Sequence, residues 1–231
     1  DDGIVLKSTS PRLCENITIS NCVVSSHCNA VKMGTETTGG FRNININNIV
    51  VMPSHDQREK FCGQWIGISA IALEIVDGGV MENINVSNFT VEGTQAPIFI
   101  RLANRARPYL KGIEKPGVGS IRDVRLSNIT VYNAGSIGSS ITGIPGHYVE
   151  DVELSNIIIH QKGGVTAEMM PKIYEKSANE REKKYPEGTS WGILPAKGFF
   201  VRHARNIKFS NIVIKSEQPD IRPDFLEIDV Q

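Results

Sequence analysis

Apolar and polar residues alternate in a ten-residue stretch that the chain uses six times. It reads ENITISNCVV at 15–24, then RNININNIVV at 42–51, ENINVSNFTV at 82–91, RDVRLSNITV at 122–131, EDVELSNIII at 150–159 and RNIKFSNIVI at 205–214. Ile17 and Ile19, Ile44 and Ile46, Ile84 and Val86, and Val124 and Leu126 fall on every second position, the period of a β-strand. An asparagine follows in each copy: Asn21, Asn48, Asn88, Asn128, Asn156 and Asn211. A recurring strand-plus-asparagine unit marks a solenoid whose copies stack and whose like residues form ladders. Stacked asparagines exchange side-chain amide hydrogen bonds. The copies start 27, 40, 40, 28 and 55 residues apart, so one coil takes about 27 residues and longer intervals carry loops.

A second ladder runs upstream of the first. Ile4, Val31 and Ile71 are each followed two places on by Leu6, Met33 and Leu73, and PIFIRLAN adds Ile98 and Ile100, 27 residues after Ile71 and Leu73. Parallel strands in register lie about 4.8 Å apart. Stacking would then place Asp2, Asn29, Ser69 and Ala96 in one column and Lys7, Gly34, Glu74 and Arg101 in another. Leu6 and Met33 point inward, so Lys7 and Lys32 project outward, Lys32 into solvent. The pattern predicts an all-β fold, a right-handed single-stranded parallel β-helix forming one domain over residues 1–231. Two segments break it: a basic loop at 102–120, and a charged insertion at 165–197 with a helix-like centre at 172–184. Insertions in solenoids collect on one face, often the binding face.

Composition narrows the function classes. Twenty-five basic residues balance 25 acidic ones, so no global field recruits nucleic acid or an anionic membrane. No apolar run reaches the roughly 20 residues of a membrane helix. Cys14, Cys22, Cys28 and Cys62 lack the spacing of a disulfide scaffold or a metal site. They read as small core thiols, with a single Cys22–Cys28 bridge as the alternative. The chain opens on Asp1-Asp2, which suggests a β-helix truncated at its N-terminus.

Adjacent carboxylates before a strand suggest glycoside hydrolysis, which needs a proton donor and a second carboxylate across the sugar. Mutual repulsion can leave one protonated and the other ionised. DDGIVLKS, CENITISNC and NAVKMGTETTGGFRNI together resemble the family 28 glycoside hydrolases, the polygalacturonases and rhamnogalacturonases. SITGIPGH and LPAKGFFVRH resemble a bacterial branch of that family. The resemblance implies a pectin-lyase-like β-helix, inverting hydrolysis of pectic poly- or oligosaccharide, no cofactor and no metal. It also implies a monomer that is secreted or periplasmic.

Residue by residue, the resemblance makes Asp1 the general acid and Asp2 the residue that positions the attacking water. A third family aspartate belongs one coil earlier, so the 231 residues alone are expected to be inactive or nearly so. The family's Gly-His-Gly aligns with Cys28-Asn29-Ala30, which puts Asn29 where a histidine belongs. Its Arg-Ile-Lys, which grips a substrate carboxylate, aligns with Ala72-Leu73-Glu74. Glu74 would repel a uronate. Either the central sugar is neutral, such as rhamnose or galactose, or Arg101 supplies the cation, unless Glu74 and Arg101 simply pair. Lys7 matches a family position. Arg105 and Arg107 are candidates for acidic sugars further along the groove. Trp65 and Trp191 are stacking platforms or core residues, and His147 and His203 read as structural. Two other functions stay open. A polysaccharide lyase would use Asp1, Asp2 and Lys7 and release an unsaturated product. A non-catalytic glycan-binding β-helix would bind without turnover.

Overall fold

In the computed structural model, which describes residues 1–54 and 65–231, the alternating stretches are strands of one parallel β-helix. Each rung pairs a short strand with a long one. The first three rungs are β1 (Ile4–Ser8) with β2 (Cys14–Ser25), β3 (Val31–Thr37) with β4 (Phe41–Met52), and β5 (Ile71–Ile75) with β6 (Val80–Glu92). The fourth joins β7 (Ile98–Leu102) to β8 (Ser120–Ile121) and β9 (Val124–Ala134), and the fifth β10 (Ser139–Thr142) to β11 (Val149–Gly163). In the sixth, β12 (Phe199–Gln218) runs through both positions, and β13 (Phe225–Val230) lies on its first part. Most of the register is the expected one: Ile4, Val31, Ile71 and Ile98 are successive partners, as are Ile17, Ile44, Ile84 and Val124. It slips between Leu6 and Ser8, where Ser8 pairs with Thr37 instead of Thr35, so Lys7 falls at an irregularity rather than in a regular column with Gly34.

The asparagines do more than bond to one another. Asn21, Asn48, Asn88, Asn128, Asn156 and Asn211 all have φ between 54° and 58°. This left-handed conformation turns the long strand through a corner, and asparagine tolerates it better than most residues. Their amides form the expected ladder, Asn48 to Asn21 at 3.2 Å and Asn88 to Asn48 at 3.1 Å among its steps. A second corner escapes the repeat as read from sequence: Asn16, Asn43, Asn83, Asp123, Asp151 and Asn206 are also left-handed. Between corners, alternate apolar positions face inward and fill one continuous core.

The basic loop lies between β7 and β8, and the insertion between β11 and β12. The insertion's helix, α1 (Met170–Ala178), is shorter than expected and starts earlier. Pro171 sits in its first turn, and the chain leaves helical geometry at Asn179. Ile137 and the insertion residues Trp191, Leu194 and Ala196 pack on Ala72, Ala96, Phe99 and Phe200 as a second core. The outer face of the short strands is therefore covered by the chain itself. Arg222 pins this cover: its guanidinium donates to the carbonyls of Ile137, Leu194 and Ala196 and pairs with Asp220 at 2.7 Å. Cys14, Cys22 and Cys28 are free thiols, so no Cys22–Cys28 bridge forms, and Cys62 lies outside the described residues.

Candidate functional site

In the short strands Ile4 and Leu6, Val31 and Met33, Ile71 and Leu73, and Ile98 and Ile100 face inward while the residues between them face out, and the outward residues near the β1 edge carry the charge. Gly3 makes the first contact possible. A Cβ there would stand 2.4 Å from Val24 and 2.7 Å from the Ala30 carbonyl, so only glycine lets the chain lie this close. With Gly3 and Ile4 donating to the carbonyls of Asn29 and Ala30, Asp2 is fixed beside Asn29. Oδ1 of Asp2 accepts from the Asn29 amide N–H at 3.0 Å and from its side-chain Nδ2 at 2.8 Å. Asn29 therefore holds Asp2 through one oxygen. Asp1 is exposed, and its Oδ1 accepts the Asp2 amide at 2.8 Å.

Lys32 departs from expectation. It does project outward from β3, yet it is only 1% exposed, because the insertion closes over it. Its Nζ lies 3.5 Å from Asp2, 3.7 Å from Glu74 and 3.2 Å from the Tyr185 hydroxyl, to which it donates. Burial pulls its pKa down, but Glu74, Asp2 and Tyr185 outweigh that, and the net direction is up. Lys32 stays charged. Glu74 is fully buried and neither of its oxygens has a hydrogen-bond partner. Burial dominates there, opposed by Lys32 and helped by Glu187 and Asp2, and its pKa is pushed up to about 8. A neutral Glu74 beside a cationic Lys32 that also pairs with Asp2 is the arrangement these contacts favour.

Arg101 stands opposite Glu74 in register, yet among the described residues no ion pair joins them. Its guanidinium donates to Thr142 Oγ1, to the Gly143 carbonyl at 2.7 Å and to the Glu180 carbonyl at 2.6 Å, and lies 5.2 Å from the Trp191 ring centroid. Burial and then Arg202 lower its pKa to about 10, against the pull of Glu180. Buried and bonded, Arg101 is structural in this geometry and presents no face to a uronate. Arg105 is likewise committed. It pairs with buried Asp77, donates to the Thr35 carbonyl and sits 5.6 Å from the Tyr185 ring centroid. Lys7 lies apart from Asp2, at the far end of β1, where it pairs with Glu36 at 3.2 Å. Glu36 also receives Arg107, and these residues border a 240 Å³ pocket lined by Thr9, Asp77, Arg107 and Tyr109.

Two residues that sequence reasoning missed complete the group, both in the run YPEGTSW of the insertion. Tyr185 is 51% exposed, with Lys32 at 5.1 Å and Arg105 at 5.6 Å from its ring centroid. Glu187 is half-buried, and its Oε2 is buried without a hydrogen-bond partner. The available signal was Gly188, a glycine between a carboxyl and an aromatic in a segment expected to cover the binding face. Of the tryptophans, Trp191 is core: it is 3% exposed and donates Nε1–H to the Asn179 carbonyl at 2.7 Å. Trp65 is exposed. His147 is exposed, whereas His203 has the partners the sequence did not reveal, Asp229 at 2.7 Å and Glu180 at 3.2 Å.

Among the described residues, Asp1, Asp2 and Cys28 are the one His, Cys, Asp or Glu group whose ligand-type atoms all lie within 4.8 Å. It is a poor ion site, because Asn29 occupies Asp2 Oδ1 and burial raises the Cys28 thiol. No family model matches the chain, and no curated protein matches it. No helix among the described residues is long and apolar enough to cross a membrane.

Proposed function

We propose that this chain is a glycoside hydrolase of the polygalacturonase-like type, acting on a neutral sugar unit of a pectic polysaccharide. The observation that carries the reading is the Asp2 carboxylate, clamped by Asn29 and Lys32 at the edge of a β-helix face and flanked by the carboxyls of Asp1, Glu74 and Glu187. Inverting hydrolysis needs one ionised carboxylate to orient water and one neutral acid to protonate the leaving oxygen. A cluster in which Glu74 and Glu187 are pushed toward the neutral form beside a lysine-paired Asp2 meets that requirement. Burial of Lys32, Arg101 and Arg105 in internal contacts, with Glu74 at the family's cationic position, argues for a neutral central sugar such as rhamnose or galactose.

Tyr185 offers an exposed ring to the apolar face of that sugar. The test is reducing-end release from rhamnogalacturonan oligomers by the chain and by Asp2→Asn. Cleavage that Asp2→Asn abolishes supports the reading. A second reading, glycan binding without turnover, is favoured by the insertion's cover over Lys32, Ala72, Phe99 and Phe200 on the outer face. Oligomer binding with no new reducing ends, unchanged by Asp2→Asn, would establish it instead.

A further inference from the structure

We infer that Glu187, carried by the insertion, is the proton-donating carboxyl of this site, the role that sequence resemblance gives to Asp1. The inference rests on the hydrolase reading, and it changes one expectation: Asp2 to activate water and Glu187 to give a proton, the two carboxyls that inversion requires, both lie within these 231 residues. The placement comes from Gly188. A Cβ there would lie 2.6 Å from Ser69 Oγ and 3.0 Å from the Ala96 side chain, so the turn bearing Glu187 docks on the column that begins with Asp2 and Asn29. Its docked surface is polar and unsatisfied. Ser69 Oγ, Asn29 Oδ1 and Glu187 Oε2 are all buried without a hydrogen-bond partner.

A carboxylate with a buried, unbonded oxygen loses solvation that a neutral acid scarcely needs. The charged and titratable groups that face Glu187 are Lys32 of β3, Asp2 ahead of β1, Glu74 of β5 and Cys28. Burial raises its pKa, Lys32 opposes and Asp2 adds, with the balance at about 7. Asp1 has a different setting. It is exposed and accepts a backbone N–H, which suits an acceptor better than a donor.

In the reaction, Glu187 gives its proton to the glycosidic oxygen as the bond from that oxygen to the anomeric carbon breaks. Water adds to the anomeric carbon and passes a proton to Asp2. One water is consumed, nothing is oxidised or reduced, and solvent returns the proton from Asp2 to Glu187.

The experiment compares the chain with Glu187→Gln and Asp1→Asn on a rhamnogalacturonan oligomer and on dinitrophenyl rhamnoside and galactoside, across pH 4–9. A carbon-13 NMR titration of the Glu187 carboxyl accompanies it. General acid catalysis contributes about 10²–10⁴-fold. Glu187→Gln should lose a factor in that range on the oligomer, lose far less on the dinitrophenyl glycosides, whose leaving group needs no proton, and abolish the alkaline limb near pH 7. Glu187→Gln with unchanged oligomer cleavage, or Asp1→Asn showing this signature instead, would overturn the assignment. If the unmodified chain cleaves nothing, the hydrolase reading fails. The titration then decides the rest: a carboxyl protonated until about pH 7 upholds Glu187 as the proton holder, and one titrating like an exposed glutamate rejects it.

Discussion

Glu74→Gln should make the protein more stable, and the gain should grow with pH. Glu74 is fully buried, without a hydrogen-bond partner, and its nearest cation is 3.7 Å away. Its pKa rises from 4.5 to about 8 on folding. Because the folded-state value lies above the unfolded one, the unfolded chain releases this proton first. Stability is fully present below about pH 4.5 and falls as pH rises to about 8. At roughly 1.4 kcal/mol per pH unit, the loss is on the order of 5 kcal/mol. Glutamine keeps the volume and cannot ionise, so that pH-dependent part disappears. Equilibrium unfolding in guanidinium at pH 4.5, 6, 7 and 8.5, for both proteins, reads the difference directly. Contributions from other groups largely cancel in the comparison. The two stability curves should diverge by several kcal/mol between pH 4.5 and 8.5, with the variant above. Curves that stay parallel would refute the claim that Glu74 is held neutral.

Three further outcomes are expected. Arg222→Ala leaves Asp220 buried and unpaired and frees three carbonyls, which should cost about 3–5 kcal/mol in chemical denaturation. Asn88→Ala should cost about 1–2 kcal/mol for the left-handed backbone plus about 1 for the broken ladder, and Asn88→Gly should recover most of the backbone part. Lys32→Met removes the cation that favours ionisation of Glu74 and Glu187, so its destabilisation should be larger at pH 8 than at pH 5 in thermal unfolding.

The rungs were legible because each depends on local alternation. Ile44 and Ile46 point the same way in any strand, and register followed from equal spacing between Ile71 and Ile98. The Asp2–Asn29 contact came from the same arithmetic. What alternation cannot report is which outward face is later covered. Lys32 reads as solvated by period alone, and only the docking of a segment more than 150 residues away buries it against Tyr185. The same gap hid Glu187 and the Glu180 partner of His203, because each contact joins the insertion to a rung that no repeat relates to it. Arg101 was placed correctly opposite Glu74 but not in its bonds, which run to Thr142 and Glu180. Register fixes the backbone, whereas a long side chain chooses among several neighbours.

The most direct test of the catalytic claim is to incubate the 231-residue chain with rhamnogalacturonan oligomers and follow reducing ends together with ultraviolet absorbance. New reducing ends without an unsaturated product are expected, lost in Asp2→Asn and in Glu187→Gln. An unsaturated product, or cleavage that survives both substitutions, would contradict that claim.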